Sequence, residues 1–186
     1  LAIEAVVSCN AQECTMSRID GFEARLRALF PAIGVLQPQG GETDLSLAHV
    51  LQAAALALQA QAGCPVSFAR TTPTVDAGVF LVVVEYTEEE VGREAFQYAR
   101  QLVQAALDGN SFNTEAAISH LRDLDEDVRL GPSTGAIVQA AVDRGIPYRR
   151  LTQGSLVQLG WGSKQRRIQA AEIDSTSAVA ESIGQD

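Results

Sequence analysis

The sequence predicts a mixed α/β fold of the layered α+β kind. A small sheet packs with a buried Ala/Leu-rich helix and a long amphipathic helix, and a hairpin follows. Three observations carry this. The run DLSLAHVLQAAALALQAQA, Asp44 to Ala62, is made of strong helix formers and is apolar around nearly its whole circumference, as a central buried helix must be. GVFLVVVEYT, 78–87, is a β-branched run of strand length that suits a core strand. From Glu88 onward, Val91, Ala95, Ala99, Leu102, Val103, Ala106 and Leu107 recur at helical spacing. With 186 residues, 46% of them hydrophobic, the chain can bury a real core and fits one domain plus the start of another.

Taken in order, Leu1 to Ser8 alternates loosely and suits a strand, and Cys9 to Gly21 has no period and reads as a loop. Phe22, Leu26, Leu29 and Phe30 mark a helix with Arg25 and Arg27 outward, ended by Pro31. QPQGGET, 37–43, is an exposed connection. Asp44 can cap the apolar helix and Gly63 can end it. Cys64 to Ala69 reads as a strand and Arg70 to Asp76 as a loop. Glu88, Glu89 and Glu90 open the amphipathic helix at the positive end of its dipole, and Asp108-Gly109-Asn110 stops it. A shorter helix over 114–124 precedes an acidic patch, Asp123, Asp125, Glu126 and Asp127, that reads as a solvated face. A last helix starts at Pro132-Ser133 and stops at Gly145. An alternating hairpin-like run follows, with Gln153-Gly154 as a turn and Gly160-Trp161-Gly162 as a corner, and a new helical segment runs into Asp186.

Composition narrows the function. A net charge of -9 argues against a nucleic-acid partner, which requires a basic face. No apolar run approaches the ~18–20 residues that span a bilayer, and LAIEAVVSC lacks the basic start of a signal peptide, so a cytoplasmic protein with no membrane partner is expected. The cysteines (Cys9, Cys14, Cys64) are odd in number and form no CxxC pair, which suits free thiols in a reducing compartment. The chain begins with Leu and ends inside a helical pattern, as a piece of a longer protein would.

Three constellations could carry chemistry. A helical H-x-x-E-H sets two imidazoles on one face to hold zinc, with the glutamate as base. Here His49, Gln52 and Ala53 occupy those positions, so one imidazole remains, the base is an amide and the second ligand is a methyl. His49 is then a satisfied helix histidine, unless ligands come from elsewhere. Glu85, at a strand end, could act as acid or base or grip a basic side chain; with Glu88 to Glu90 it could equally be a plain helix-start acid. Arg149, Arg150, Lys164, Arg166 and Arg167 cluster on the hairpin, where arginines suit carboxylate or phosphate recognition. Solubilising charge is the alternative. No glycine spacing meets either nucleotide fingerprint.

At LGPSTGAIVQAAVDRGIPYRRLTQGSLVQLGWGSKQRRIQAAEIDSTSAVAESIGQD, and more loosely at AGCPVSFARTTPT, GVFLVVVEYTEEEVGR and LRDLDEDVRL, the chain resembles the cyanophycin synthetases. That family polymerises aspartate and attaches arginine to each side chain at the expense of ATP. The resemblance implies an N-terminal domain over 1–147 and the beginning of an ATP-grasp domain over 148–186. The rest of that domain, with its ATP and Mg2+ sites, and a Mur-ligase-like domain would lie downstream. It implies a cyanophycin chain, or Asp-Arg oligomers, as partner, with Arg149, Arg150, Lys164, Arg166, Arg167 and Glu85 as contact candidates, and a homo-oligomer. Many relatives carry G-H-x-x-E-H, thought to cut polymer into primers. Ala48-His49-Val50-Leu51-Gln52-Ala53 departs from it, which implies dependence on supplied primer and no metal, cofactor or catalytic residue within this stretch. T-D-R-T in relatives is Ile173-Asp174-Ser175-Thr176 here, without the arginine.

Overall fold

A computed structural model describes residues 1–9, 15–34, 36, 44–152 and 154–169, and the backbone of 172–173. It contains two compact units, Leu1–Asp127 and Val128–Asp186. The expected segments at 37–43 and beyond 173, and Gln153 of the expected turn, lie outside the described residues. Among the described residues there are five α-helices and two antiparallel sheets, so the mixed α/β class holds.

In the first unit, β1 (Ala2–Ser8), β2 (Ala69–Pro73) and β3 (Val79–Glu85) form a sheet in the order β1-β3-β2, with the Val-rich run central as expected. The register pairs Ile3 with Val84 and Ala5 with Val82, and Val82 in turn with Thr71. Val82 and Val84 are buried, whereas Val6 and Leu81, paired on the opposite face, are exposed. One face is therefore the core face. Against it lies α2 (Leu47–Ala62), which also packs along α3 (Glu89–Asp108). Ala48, Val50, Ala54, Ala55 and Leu58 of α2 are fully buried, as a helix apolar on all sides requires. The long helix buries Val91, Ala95, Ala99, Leu102 and Ala106 as its periodicity predicts, together with Gly92 and Ala105, while Leu107 is only half-buried. Gly63 and Gly109 cap α2 and α3 in the left-handed region, where a Cβ would be strained.

Several boundaries differ from the sequence reading. The cap of α2 is Ser46, whose Oγ accepts from the His49 amide; Asp44 instead accepts from the Ser17 hydroxyl and the Leu45 amide. The second strand is Ala69–Pro73, not Cys64 to Ala69, because pairing with β3 outweighs the composition of the earlier stretch. Arg25, on α1 (Phe22–Leu29), is half-buried, and its Nε donates to the Ala106 carbonyl in the last turn of α3, where a cation meets the negative end of the dipole. The helix α4 (Thr114–Val128) runs through the acidic patch. Asp123, Glu126 and Asp127 face solvent, and only Asp125 is half-buried. Cys9 is disulfide-bonded, against the expectation of free thiols, since an odd count leaves pairing undetermined by sequence; Cys64 is free and buried.

In the second unit, α5 (Pro132–Val142) is followed by β4 (Tyr148–Arg150), β5 (Val157–Leu159), β6 (Arg166–Gln169) and β7 (Glu172–Ile173). The expected hairpin is a four-stranded antiparallel meander in chain order. Its core is Val138, Val157 and Ile168, flanked by Leu130, Ile137, Tyr148 and Leu159. No helix among the described residues is long and apolar enough to cross a membrane.

Close packing of α3 on the sheet has a direct test. A Cβ on Gly92 would stand 2.6 Å from Tyr86 Cβ and 3.3 Å from Ile3 Cδ1, whereas one on Gly135 of α5 would meet nothing nearer than 3.6 Å. Gly92→Ala is expected to destabilise by about 1–3 kcal/mol, overpacking outweighing a helix-propensity gain of about 1 kcal/mol. Gly135→Ala should stabilise by about 0.5–1 kcal/mol. Urea midpoints of the two variants moving the same way would contradict this packing.

Candidate functional site

The first candidate lies where α2 begins. Ser46 is the cap, and its Oγ lies 2.8 Å from His49 Nδ1 and 3.4 Å from the His49 amide. The imidazole meets Phe80 of β3 edge-on, with centroids 6.0 Å apart. One turn later the side-chain Oε1 of Gln52 accepts from the Thr71 hydroxyl of β2 at 2.7 Å. Ala53, half-buried beside it, offers only a methyl group. A zinc site of the H-x-x-E-H kind needs donors at all three positions. His49 and Gln52 are instead bonded to a cap and a strand, and no group of three or more His, Cys, Asp or Glu gathers among the described residues. This donor set does not fit zinc.

Glu85 closes the sheet at the end of β3. Its carboxylate accepts from the Ser67 and Phe68 amides, both at 2.7 Å, and its own amide donates to the Phe68 carbonyl. The fully buried Gln59 of α2 donates to the Glu85 carbonyl at 2.9 Å. These amides stabilise the charged form and hold the carboxyl below the usual glutamate range. Nearby, burial and then the Asp125 carboxylate push the Cys64 thiol up, away from the reactive thiolate.

In the second unit, pairing of Arg149 with Gln158, and of Gln158 with Arg167, sets these three side by side across β4, β5 and β6. Their neighbours Val157 and Ile168 are buried, so alternation turns Arg149, Gln158 and Arg167 to the other face, where both arginines are exposed. Two strand spacings separate the arginines by about 10 Å. Arg150 points to the core face and is engaged: Nε donates to the Gly154 carbonyl at 2.9 Å and Nη1 to that of Val128. Arg166 donates to the Gln165 carbonyl, and Lys164 is exposed on the 3-10 turn before β6. The hairpin thus separates into an exposed guanidinium row and a structural arginine. Sequence reasoning missed Gln158 as the middle member of the row, and Ser46 and Thr71 as partners of His49 and Gln52. Ser46, at the cap position of an S-x-x-H start, was the one readable signal.

Fold and surface together define a mixed α/β module with an exposed row of arginines on its second sheet. The family model described as the cyanophycin synthase-like N-terminal domain matches residues 4–108. Over 187 residues the chain is 35% identical to the cyanophycin synthetases of Trichormus variabilis and of a Nostoc species, covering 99% of this chain and 19% of each relative. It is 39% identical over 127 residues to that of Crocosphaera subtropica, covering 67% of this chain and 15% of the relative. The chain belongs to the cyanophycin synthase-like N-terminal domain family. It spans about a fifth of the length of the first two relatives.

The Glu85 clamp predicts a pH dependence. A carboxyl whose folded pKa is depressed contributes stability that is present above its unfolded pKa and lost as pH falls through the folded one. Hydrogen-exchange protection of the Ser67 and Phe68 amides, corrected for intrinsic rate, should hold above the ordinary glutamate range and fall below it. Glu85→Ala should remove that protection at neutral pH. Equal protection in variant and parent would assign the clamp no role.

Proposed function

We propose that this chain is the N-terminal portion of an ATP-dependent ligase that makes multi-L-arginyl-poly-L-aspartate from Asp and Arg, and that this portion holds the growing polymer. The observation that carries the reading is the 35% identity to cyanophycin synthetases along 99% of the chain. ATP and Mg2+ belong to an ATP-grasp portion of the parent protein, the arginine-adding step to a Mur-ligase-like portion, and the chain by itself ligates nothing. The departures at Gln52 and Ala53 support an enzyme that takes supplied primer rather than cutting its own.

Polymer holding rests on complementary charge. The product presents carboxylates and guanidinium groups along its length. Arg149 and Arg167 offer planar donor forks to the carboxylates, and between them stands Gln158, whose Nε2 donates to the Gly160 carbonyl and leaves its Oε1 for the peptide groups. Each contact is exposed and individually weak, so holding depends on many at once and is screened over about 8 Å at physiological salt.

A scaffolding role in a homo-oligomer is the second reading. The outward face of the first sheet favours it: Val6 is 72% exposed, with Leu81 beside it. Deleting 1–127 from the parent enzyme separates the two readings, because lost assembly with normal primer KM supports scaffolding.

The polymer reading is tested by titrating the chain with short Asp-Arg oligomers at rising salt. Affinity should fall with salt, and the double variant Arg149→Ala, Arg167→Ala should lose about 5–30-fold, equivalent to about 1–2 kcal/mol, with unfolding unchanged. Salt-independent binding, or full affinity in the double variant, would count against it.

A further inference from the structure

We propose that the groove between α1 and α4, in the first unit, binds one arginyl-aspartyl unit: a ligand with a guanidinium at one end, a carboxylate at the other and an aliphatic stem between. Its identification as a polymer unit rests on the function proposed above; its location and its charge pattern come from the groove.

The groove encloses about 480 Å³, within the range of small-molecule sites. Leu29, Phe30, Pro31 and Ile118 supply an apolar floor, and Glu115 and Arg122 supply the charges. Glu115, Ile118, Ser119 and Arg122 fall at positions i, i+3, i+4 and i+7, so they share one face of α4. Seven residues of helix separate the two charges by about 10 Å along the axis. Glu115 stands in the first helical turn, where a negative side chain faces the positive end of the dipole. Arg122 is oriented by a hydrogen bond from Nη2 to the Gln61 carbonyl at 3.4 Å, which leaves the rest of its fork for a carboxylate.

The walls are fixed before any ligand arrives. The Thr114 hydroxyl donates to the Leu29 carbonyl at 2.6 Å, joining the start of α4 to the end of α1. Pro31 sits at the first position of the 3-10 turn that forms the lip, and Phe30 beneath is 1% exposed. A preformed groove with opposite charges at its ends orients a zwitterion one way round, guanidinium toward Glu115 and carboxylate toward Arg122. A ligand with only one of those charges leaves one end unmatched. The cavity at the α3–α4 loop also holds an arginine and a carboxylate, Arg100 and Asp108, but there Asp108 already accepts from Gln104.

The experiment is a calorimetric and amide-NMR titration of the chain with β-aspartyl-arginine. Shifts should concentrate at Ala32, Thr114 and Ser119, and Glu115→Gln and Arg122→Gln should each weaken binding about 10-fold without changing the unfolding midpoint. The Arg149→Ala, Arg167→Ala double variant should bind the dipeptide normally. No dipeptide binding at millimolar concentration, shifts confined to the second unit, or full affinity in both groove variants would overturn the groove site. Failure of the polymer reading shows separately, as dipeptide bound in the groove while longer Asp-Arg oligomers bind no more tightly than the dipeptide.

Discussion

Burial of α2 between the sheet and α3 is the interaction on which the first unit depends. Its alanines let helix and strand approach closely, and Leu58 and Val50 fill the space between, both fully buried. One polar residue on that helix, Gln59, is also fully buried, and it spends its amide on the Glu85 carbonyl. The end of β3 is therefore held twice, from beneath by Gln59 and in the plane of the sheet by the Glu85 clamp on Ser67 and Phe68. Gln59 Nε2 also donates to the Ala55 carbonyl, whereas Oε1 has no partner among the described residues, so the bonded donor is what favours one register of α2 against the sheet. The same register sets His49 against Phe80 and Gln52 against Thr71.

That arrangement bears on function. Positions that could present metal donors are instead used to attach α2 to its cap and to β2, so the helix serves as a structural spine. In the second unit, strand pairing turns two arginines and a glutamine to one face, while a third arginine, Arg150, reaches backbone carbonyls. Adjacent residues of one sequence cluster thus have different physical roles, decided by the period-two alternation of a strand.

Much of this was legible in the sequence. Long, strongly periodic segments announced themselves: the all-apolar α2, the Val run of β3 and the stripe of α3 needed no tertiary information. The second strand was misplaced because CPVSFA has as much β character as ARTTP, and only hydrogen bonding to β3 selects the latter. The helix α4 runs past its expected end at Leu124: the acids that follow resemble a loop, although Val128 keeps the period and Glu126 and Asp127 sit on the solvent side. The row Arg149, Gln158, Arg167 depends on turn lengths that set register across three strands, which a linear reading of charge clusters cannot supply. The α1–α4 groove joins residues about 85 positions apart, illustrated by Thr114 and Leu29, and no local pattern announces it.

The central claim is that the guanidinium row of the second sheet recognises the carboxylates of an Asp-Arg chain. Arginine Nε–H resonances report it most directly, because they sense carboxylate pairing at the side chain itself. On titration with an Asp-Arg oligomer, the signals of Arg149 and Arg167 should move together and saturate at one affinity, while that of Arg150, already bonded to backbone carbonyls, stays in place. Movement of Arg150 alone, or stationary Arg149 and Arg167 signals while oligomer binds, would contradict the account.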